Sequence, residues 1–391
     1  MKFGYTLLVL MLCLGCKTEI ISENLAQKHI DALQKEIAPD KRVVVFQLEA
    51  YQNNDTYILK GETDQPKGLE ILLDSLTANN ISFIDSVIVL PSAELRDKTR
   101  GVINISVANL RSNPKHSAEL ATQATLGTVV NVLKKKDGWY YIQTPDKYLA
   151  WVDAGGIALM KEQEIKNWEA THKVIYTKTY GHAYAGTDTK EIVSDLVAGN
   201  LLEVLKHTDT FYKVRFPDGR EAYVSHAESA TYEDWLAGLE NSTDALVATS
   251  KRFMGVPYLW GGTSTKGMDC SGFTKTIYFL NGMIIPRDAS QQVHTGKPID
   301  DTGNFELLEP GDLLFFGTKA TDAKKEKVVH VGMWIGNNEF IHASDMVRVS
   351  SVDKEAKNYD EHNVNRYLRT KRILKQEDKD LIDLRQVSVF K

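Results

Sequence analysis

One stretch of this chain is written twice. Val129-Val130-Asn131-Val132-Leu133-Lys134 aligns with Leu201-Leu202-Glu203-Val204-Leu205-Lys206, Trp139 with Phe211, Pro145-Asp146 with Pro217-Asp218, and Trp151-Val152 with Tyr223-Val224, every pair 72 positions apart. A fixed offset held over so many positions signals an internal duplication. Each copy consists of short alternating runs with a Pro-Asp turn, which predicts two small barrel-like β units over residues 100–160 and 170–228. Whatever else the chain forms must sit before or after this pair.

Upstream, residues 22–92 read as a small α+β unit. Ser22 is a plausible N-cap for an amphipathic helix reaching about Lys35. Arg42 to Ala50 reads as a strand, with Thr56 to Gly61 able to pair with it. Gly68 to Asn79 is helical in pattern, and Ile81 to Leu90 is a further strand before Pro91. No polar constellation in this unit suggests chemistry.

The first 16 residues read as an export signal. Lys2 supplies a positive end, Tyr5 to Leu14 carries no charge, and polar residues resume at Lys17. The run is too short to span a bilayer as a mature helix. Gly15-Cys16 after an apolar core resembles a bacterial lipobox, although Cys13 stands where leucine is usual. That resemblance implies a lipid on Cys16, a mature chain that starts there, and a periplasmic protein anchored to a membrane by lipid. Of the 3 cysteines, Cys13 would leave with the signal, so Cys270 would be the one free thiol. Such a thiol is either a buried apolar side chain or a nucleophile. Charge excludes another class: Lys+Arg 47 against Asp+Glu 52 gives −5, and nucleic-acid binding usually needs a basic surplus.

Residues 241–375 hold the strongest chemical signal, after a charged amphipathic stretch from Thr231 to about Phe253. Gly255 to Gly262 is an aromatic turn-rich loop. Asp269-Cys270-Ser271-Gly272-Phe273 then opens a predicted helix over Cys270 to Leu280, stopped by Asn281-Gly282, with Asp269 at the N-cap position. The free N–H groups of a helix start stabilise a thiolate and later an oxyanion, and a neighbouring imidazolium would lower the thiol pKa further. Strands are predicted at Gly311 to Phe316, Val328 to Gly336 and Phe340 to Ala343. The Gly336-Asn337-Asn338 turn would let His330 and His342 approach across a hairpin. One histidine can then act as base toward Cys270 while the other fixes its orientation. Zinc is a rival use of these three side chains, but no second cysteine or CxxC pair accompanies them. No metal or cofactor is expected.

Four motifs in this order resemble the NlpC/P60 family of cysteine peptidases: Asp269-Cys270-Ser271-Gly272-Phe273, Gly311-Asp312-Leu313, His330-Val331-Gly332 and Phe340-Ile341-His342-Ala343. The duplicated units resemble bacterial SH3 domains. The resemblance implies an α+β, papain-like catalytic domain behind two SH3-like β-barrels and a small N-terminal α+β region. By the same resemblance Cys270 is the nucleophile, His330 the base, His342 the orienting residue, and Tyr258 an oxyanion contributor.

The architecture is similar to the γ-D-glutamyl-L-diamino-acid peptidases of that family, which implies a murein stem peptide with a free N-terminal L-Ala as substrate. The resemblance carries substrate contacts to Glu119 and Tyr148 of the first SH3-like unit, and to Trp260, Asp269, Ser271 and Asp288. Ala289 follows Asp288 where the subgroup commonly has serine, so one hydrogen bond of the subgroup has no donor there. Two other readings remain open at this point: a broad endopeptidase acting on intact wall, and a wall-binding protein whose SH3-like units do the work. A diaminopimelate or a lysine at the third stem position suits the motifs equally.

Overall fold

The computed structural model describes residues 24–386. The export segment, Cys16 and Ser22 lie outside that range. The first helix, Leu25–Ile37, is capped by Asn24, whose side chain accepts from the Gln27 backbone N–H at 2.9 Å. Strands Phe46–Asn53 and Thr56–Thr63 form an antiparallel hairpin, helix Pro66–Ala78 crosses over, and Ser82–Val89 returns parallel to the second strand. Ile30, Leu69, Leu72 and Leu76 bury one face of the two helices against Phe46, Leu48 and Leu59. The first strand begins later than its β-formers predict. The preceding backbone is claimed elsewhere: Leu149 N–H donates to the Arg42 carbonyl at 2.7 Å, and Gln143 Nε2 donates to the Val43 carbonyl at 3.0 Å. Residues 40–44 therefore lie against the first SH3-like unit.

The duplication is visible in the sheets. The first unit has seven antiparallel strands in the order Ile157–Met160, Arg100–Ile103, Val129–Lys136, Trp139–Gln143, Leu149–Asp153, Val107–Arg111, Leu120–Thr125. The second repeats that order with Ser229–Thr231, Lys173–Tyr176, Leu201–His207, Phe211–Arg215, Glu221–Ser225, Tyr180–Tyr184, Ile192–Val197. Each has its own apolar core, around Ile103, Val132 and Ile142 in the first and Val174, Leu202 and Val214 in the second. Among the described residues the terminal strands of each sheet are not paired to each other, and the two units have the SH3-like strand pattern expected.

The stretch after Thr231 forms two short helices, Tyr232–Ala237 and Thr243–Lys251. Helix Cys270–Leu280 follows and packs Phe273 and Ile277 onto a six-stranded antiparallel sheet through Phe315, Val331, Met333 and Ile341. That sheet runs Lys297–Asp300, Tyr367–Arg372, Leu313–Thr318, Lys327–Gly336, Glu339–Ser344, Met346–Ser351. The chain past residue 375 is used as well: Ile382–Asp383 pairs with Met283–Ile284, and Leu384 is buried beside Ile175 and Leu201 of the second SH3-like unit. The last domain is thus helix on sheet, the α+β class expected.

A charged pair fastens the cysteine helix to the first SH3-like unit. Lys275 from the helix meets Asp146 from the Pro-Asp turn, with side chains 17% and 5% exposed. Thr144 Oγ1 donates to the other oxygen of Asp146 at 2.6 Å. Removing one partner of a buried pair leaves an uncompensated charge. Asp146→Ala is therefore expected to destabilise the protein by about 3–5 kcal/mol, read as a lowered urea midpoint.

Candidate active site

Cys270 is the first residue of its helix, and Asp269 is the N-cap in extended geometry. The two Asp269 oxygens are fully engaged. Oδ1 accepts from the Gly272 backbone N–H at 2.7 Å, and Oδ2 from the Gly261 N–H at 3.0 Å. Arg287 grips both oxygens, at 3.1 and 2.6 Å. Nη1 of Arg287 also donates to Ser271 Oγ at 3.0 Å, and Nε to Thr122 Oγ1 of the first SH3-like unit at 2.8 Å. Gly272 is required by close approach: a Cβ there would lie 2.0 Å from the Gly262 carbonyl oxygen.

The backbone N–H groups of Val331 and Ser271 favour the Cys270 thiolate electrostatically. Val331 directly follows His330, so one of these N–H groups belongs to the histidine strand itself. The thiol is 7% exposed. Burial, reinforced by the Asp269 carboxylate, pushes its pKa up to about 12. Burial thus opposes the ionisation that the helix start favours.

His330 and His342 come together as the hairpin predicts. Asn337 and Asn338 take φ of +54° and +59°, the doubly left-handed geometry of a tight hairpin turn. Nε2 of His330 lies 2.7 Å from Nδ1 of His342, and Nε2 of His342 lies 3.0 Å from Ser350 Oγ. The Asp360 carboxylate is 3.8 Å from that same Nε2. Gly332 makes room for the arrangement, since a Cβ there would sit 3.3 Å from His342 Cβ and 2.8 Å from the Phe340 ring. A base needs its lone pair on the remaining nitrogen, Nδ1 of His330. Nε2 of His330 then carries hydrogen and donates to His342, which in turn donates from Nε2 to Ser350. Burial holds His330 well below the usual histidine range, with a further push from His342. Burial lowers His342 to about 4, against the pull of Asp360.

A cleft of about 710 Å³ opens over Cys270. Glu119 and Tyr148 reach it from the first SH3-like unit, and Tyr258, Trp260, Asp269, Ser271 and Asp288 from the catalytic domain. His330 and His342, 8% and 0% exposed, are not among its lining residues; Val328 and Val329 of the same strand are. Trp260 Nε1 donates to Glu119 Oε1 at 2.7 Å across the two units. Tyr148 donates its hydroxyl to Asp288 Oδ2 at 3.1 Å. Burial raises the Tyr258 hydroxyl, with a further push from the Asp269 carboxylate, so it is protonated, and it shares the cleft with Cys270.

Four participants escape the sequence reading. Arg287 is 1% exposed and organises the cysteine loop, yet a buried arginine has no sequence signature. Ser350 and Asp360 extend the histidine chain from a strand and a loop with no motif of their own. The fourth is Arg42 of the N-terminal unit, where the sequence showed no polar constellation: it reaches Asp288 at 2.7 Å.

The buried histidines link folding to acidity. His342 has a pKa of about 4 when folded and 6.5 as its ordinary value. Between those values the unfolded chain binds the extra proton. The stability from His342 is therefore complete above pH 6.5 and is lost as the pH falls toward 4, on the order of 3 kcal/mol. Urea unfolding across that window is expected to show this loss, and His342→Gln to flatten the slope.

The NlpC/P60 family profile matches residues 255–368 and the bacterial SH3 domain profile matches 106–158. A γ-D-glutamyl-L-lysine dipeptidyl-peptidase from Bacillus cereus (strain ATCC 10987 / NRS 248) is 34% identical over 231 residues, covering 58% of this chain and 67% of the relative. A probable endopeptidase NlpC homolog from Haemophilus influenzae is 33% identical over 159 residues, covering 40% of this chain and 70% of that one. The crystal structure of an NlpC/P60 family protein from Bacillus cereus ATCC 10987 superposes with a TM-score of 0.60 at 27% identity, over 70% of this chain and 99% of that chain. With a shared profile over the cysteine and histidine motifs, and a third of residues identical across two thirds of a relative, this chain belongs to the NlpC/P60 family.

Proposed function

We propose that this protein hydrolyses the γ-D-glutamyl–L-diamino acid bond of murein stem peptides that begin with a free L-Ala, in cell-wall turnover or recycling. The names of its relatives support the bond. The observation that carries the free amine is Glu119. Its carboxylate lies in the cleft of Cys270, held by Trp260, and among the described residues no cation pairs with it. The ammonium group of a substrate is a natural partner for it.

The chemistry starts from Cys270 and His330, either as a neutral pair or with the proton already held on His330 as an ion pair. The Cys270 thiol passes its proton to Nδ1 of His330 as the sulfur attacks the γ-carbonyl carbon of D-Glu. The N–H groups at the helix start and the Tyr258 hydroxyl hold the oxyanion. Protonated His330 gives its proton to the leaving amine, and the C–N bond breaks. Water, deprotonated by His330, then cleaves the thioester and restores the thiol. His342, backed by Ser350 and Asp360, keeps the ring oriented and stabilises its transient charge.

Incubation with L-Ala-γ-D-Glu-diaminopimelate is expected to release L-Ala-γ-D-Glu and free diaminopimelate, identified by mass spectrometry. Cys270→Ala is expected to lower that rate roughly 10³-fold or more. Products cut at any other bond would overturn the assignment.

The reading extends to location. Lys2, the uncharged run to Leu14 and Gly15-Cys16 support export and lipid attachment at Cys16, which would keep the peptidase at a bacterial membrane beside its substrate. Detergent is then needed to extract the native protein, and Cys16→Ser is expected to move it to the soluble fraction; a membrane-bound Cys16→Ser variant would sink the idea.

A further inference from the structure

Arg42 stands between two cavities. One is the cleft over Cys270, of about 710 Å³; the other, of about 580 Å³, is lined by Pro39, Pro145, Lys147 and His294. Arg42 and Ser290 line both. The guanidinium is pinned on each side. Nη1 donates to Asp288 Oδ2 at 2.7 Å and to Ser290 Oγ at 2.9 Å, while Nε and Nη2 grip the two oxygens of Asp40, each at 2.8 Å. Gln291 completes a ring: its Nε2 donates to Asp40 Oδ2 at 2.8 Å, and its Oε1 accepts from the Asp288 N–H at 3.1 Å. Tyr148 joins at Asp288. A planar fork held at both edges is a rigid element.

We infer that Arg42 is a specificity-determining residue: it forms the wall that ends the substrate cleft on the amine side and excludes stem peptides whose L-Ala nitrogen is acylated. The inference rests on the proposed function, because it takes the amine of L-Ala to lie at the Glu119 and Asp288 end. A substrate that continues beyond that nitrogen needs space past Asp288. Such space exists behind Arg42, and the ring of hydrogen bonds closes the way to it. Arg42 comes from the N-terminal α+β unit. That unit lies ahead of both family profiles. Selectivity at this end is thus set by a part of the chain outside the recognised domains.

The test uses the full chain and two peptides, L-Ala-γ-D-Glu-diaminopimelate and its N-acetylated form, and reads the ratio of their kcat/KM values. Because both substrates see the same preparation, the ratio is insensitive to the fraction of folded enzyme. Wild type is expected to favour the free amine strongly. Arg42→Ala is expected to raise the acetylated-to-free ratio about tenfold or more, and Arg42→Lys, which keeps length and charge, to stay near wild type. Should Arg42→Ala show no cooperative melt, Arg42→Gln carries the same test. An unchanged ratio in the Ala or Gln variant, with wild type still selective, overturns the role of Arg42 and leaves the peptidase reading standing. Wild type that cleaves both peptides equally, or neither, overturns the proposed function and this inference with it.

Discussion

A guanidinium with almost no exposed surface holds the site together. Arg287 binds both oxygens of Asp269, the Ser271 hydroxyl and Thr122 of the first SH3-like unit. Charges are tolerated in an interior only when paired and fully hydrogen bonded, and this pair meets that condition. Asp269 in turn caps the cysteine helix and fastens the Gly261 loop. The position of the sulfur, the loop that carries Tyr258 and Trp260, and the docking of the SH3-like unit therefore share one anchor.

The state of the sulfur is decided by a contest of magnitudes. Helix-start N–H groups contribute about 0.3–1 kcal/mol, less than one pKa unit, whereas full burial raises an acidic group by as much as about 3–5 units. Burial prevails, and the Asp269 charge adds to it. Burial also keeps both histidines neutral. Behind the cysteine, His330, His342 and Ser350 form a hydrogen-bonded relay. Burial makes charge separation costly at rest and makes each fixed N–H dipole more effective once an oxyanion forms.

The sequence reading succeeded where the physics was local. The helix from Cys270 to Leu280 and its Asn281 stop follow from capping and periodicity, and the 337–338 turn follows from two asparagines suited to positive φ. The duplication foretold two copies with one strand order. Glu119, Tyr148, Trp260 and Asp288 were legible only through resemblance, yet they converge on one cleft. What stayed hidden is long-range. Arg42 is 246 positions from Asp288, and nothing near it in the chain announces a partner. The thiol's protonation could not be read either, because burial is a property of the packed molecule.

The cleft draws its walls from three units that each have a core of their own. As separate polypeptides, such units would have to overcome the loss of translational freedom through a few polar contacts. Joined in one chain, they meet at an effective concentration in the millimolar range, so a ring as small as the one around Arg42 can hold its place. The covalent linkers are therefore functional parts: lengthening them would dilute one wall of the cleft relative to another without altering a single contact.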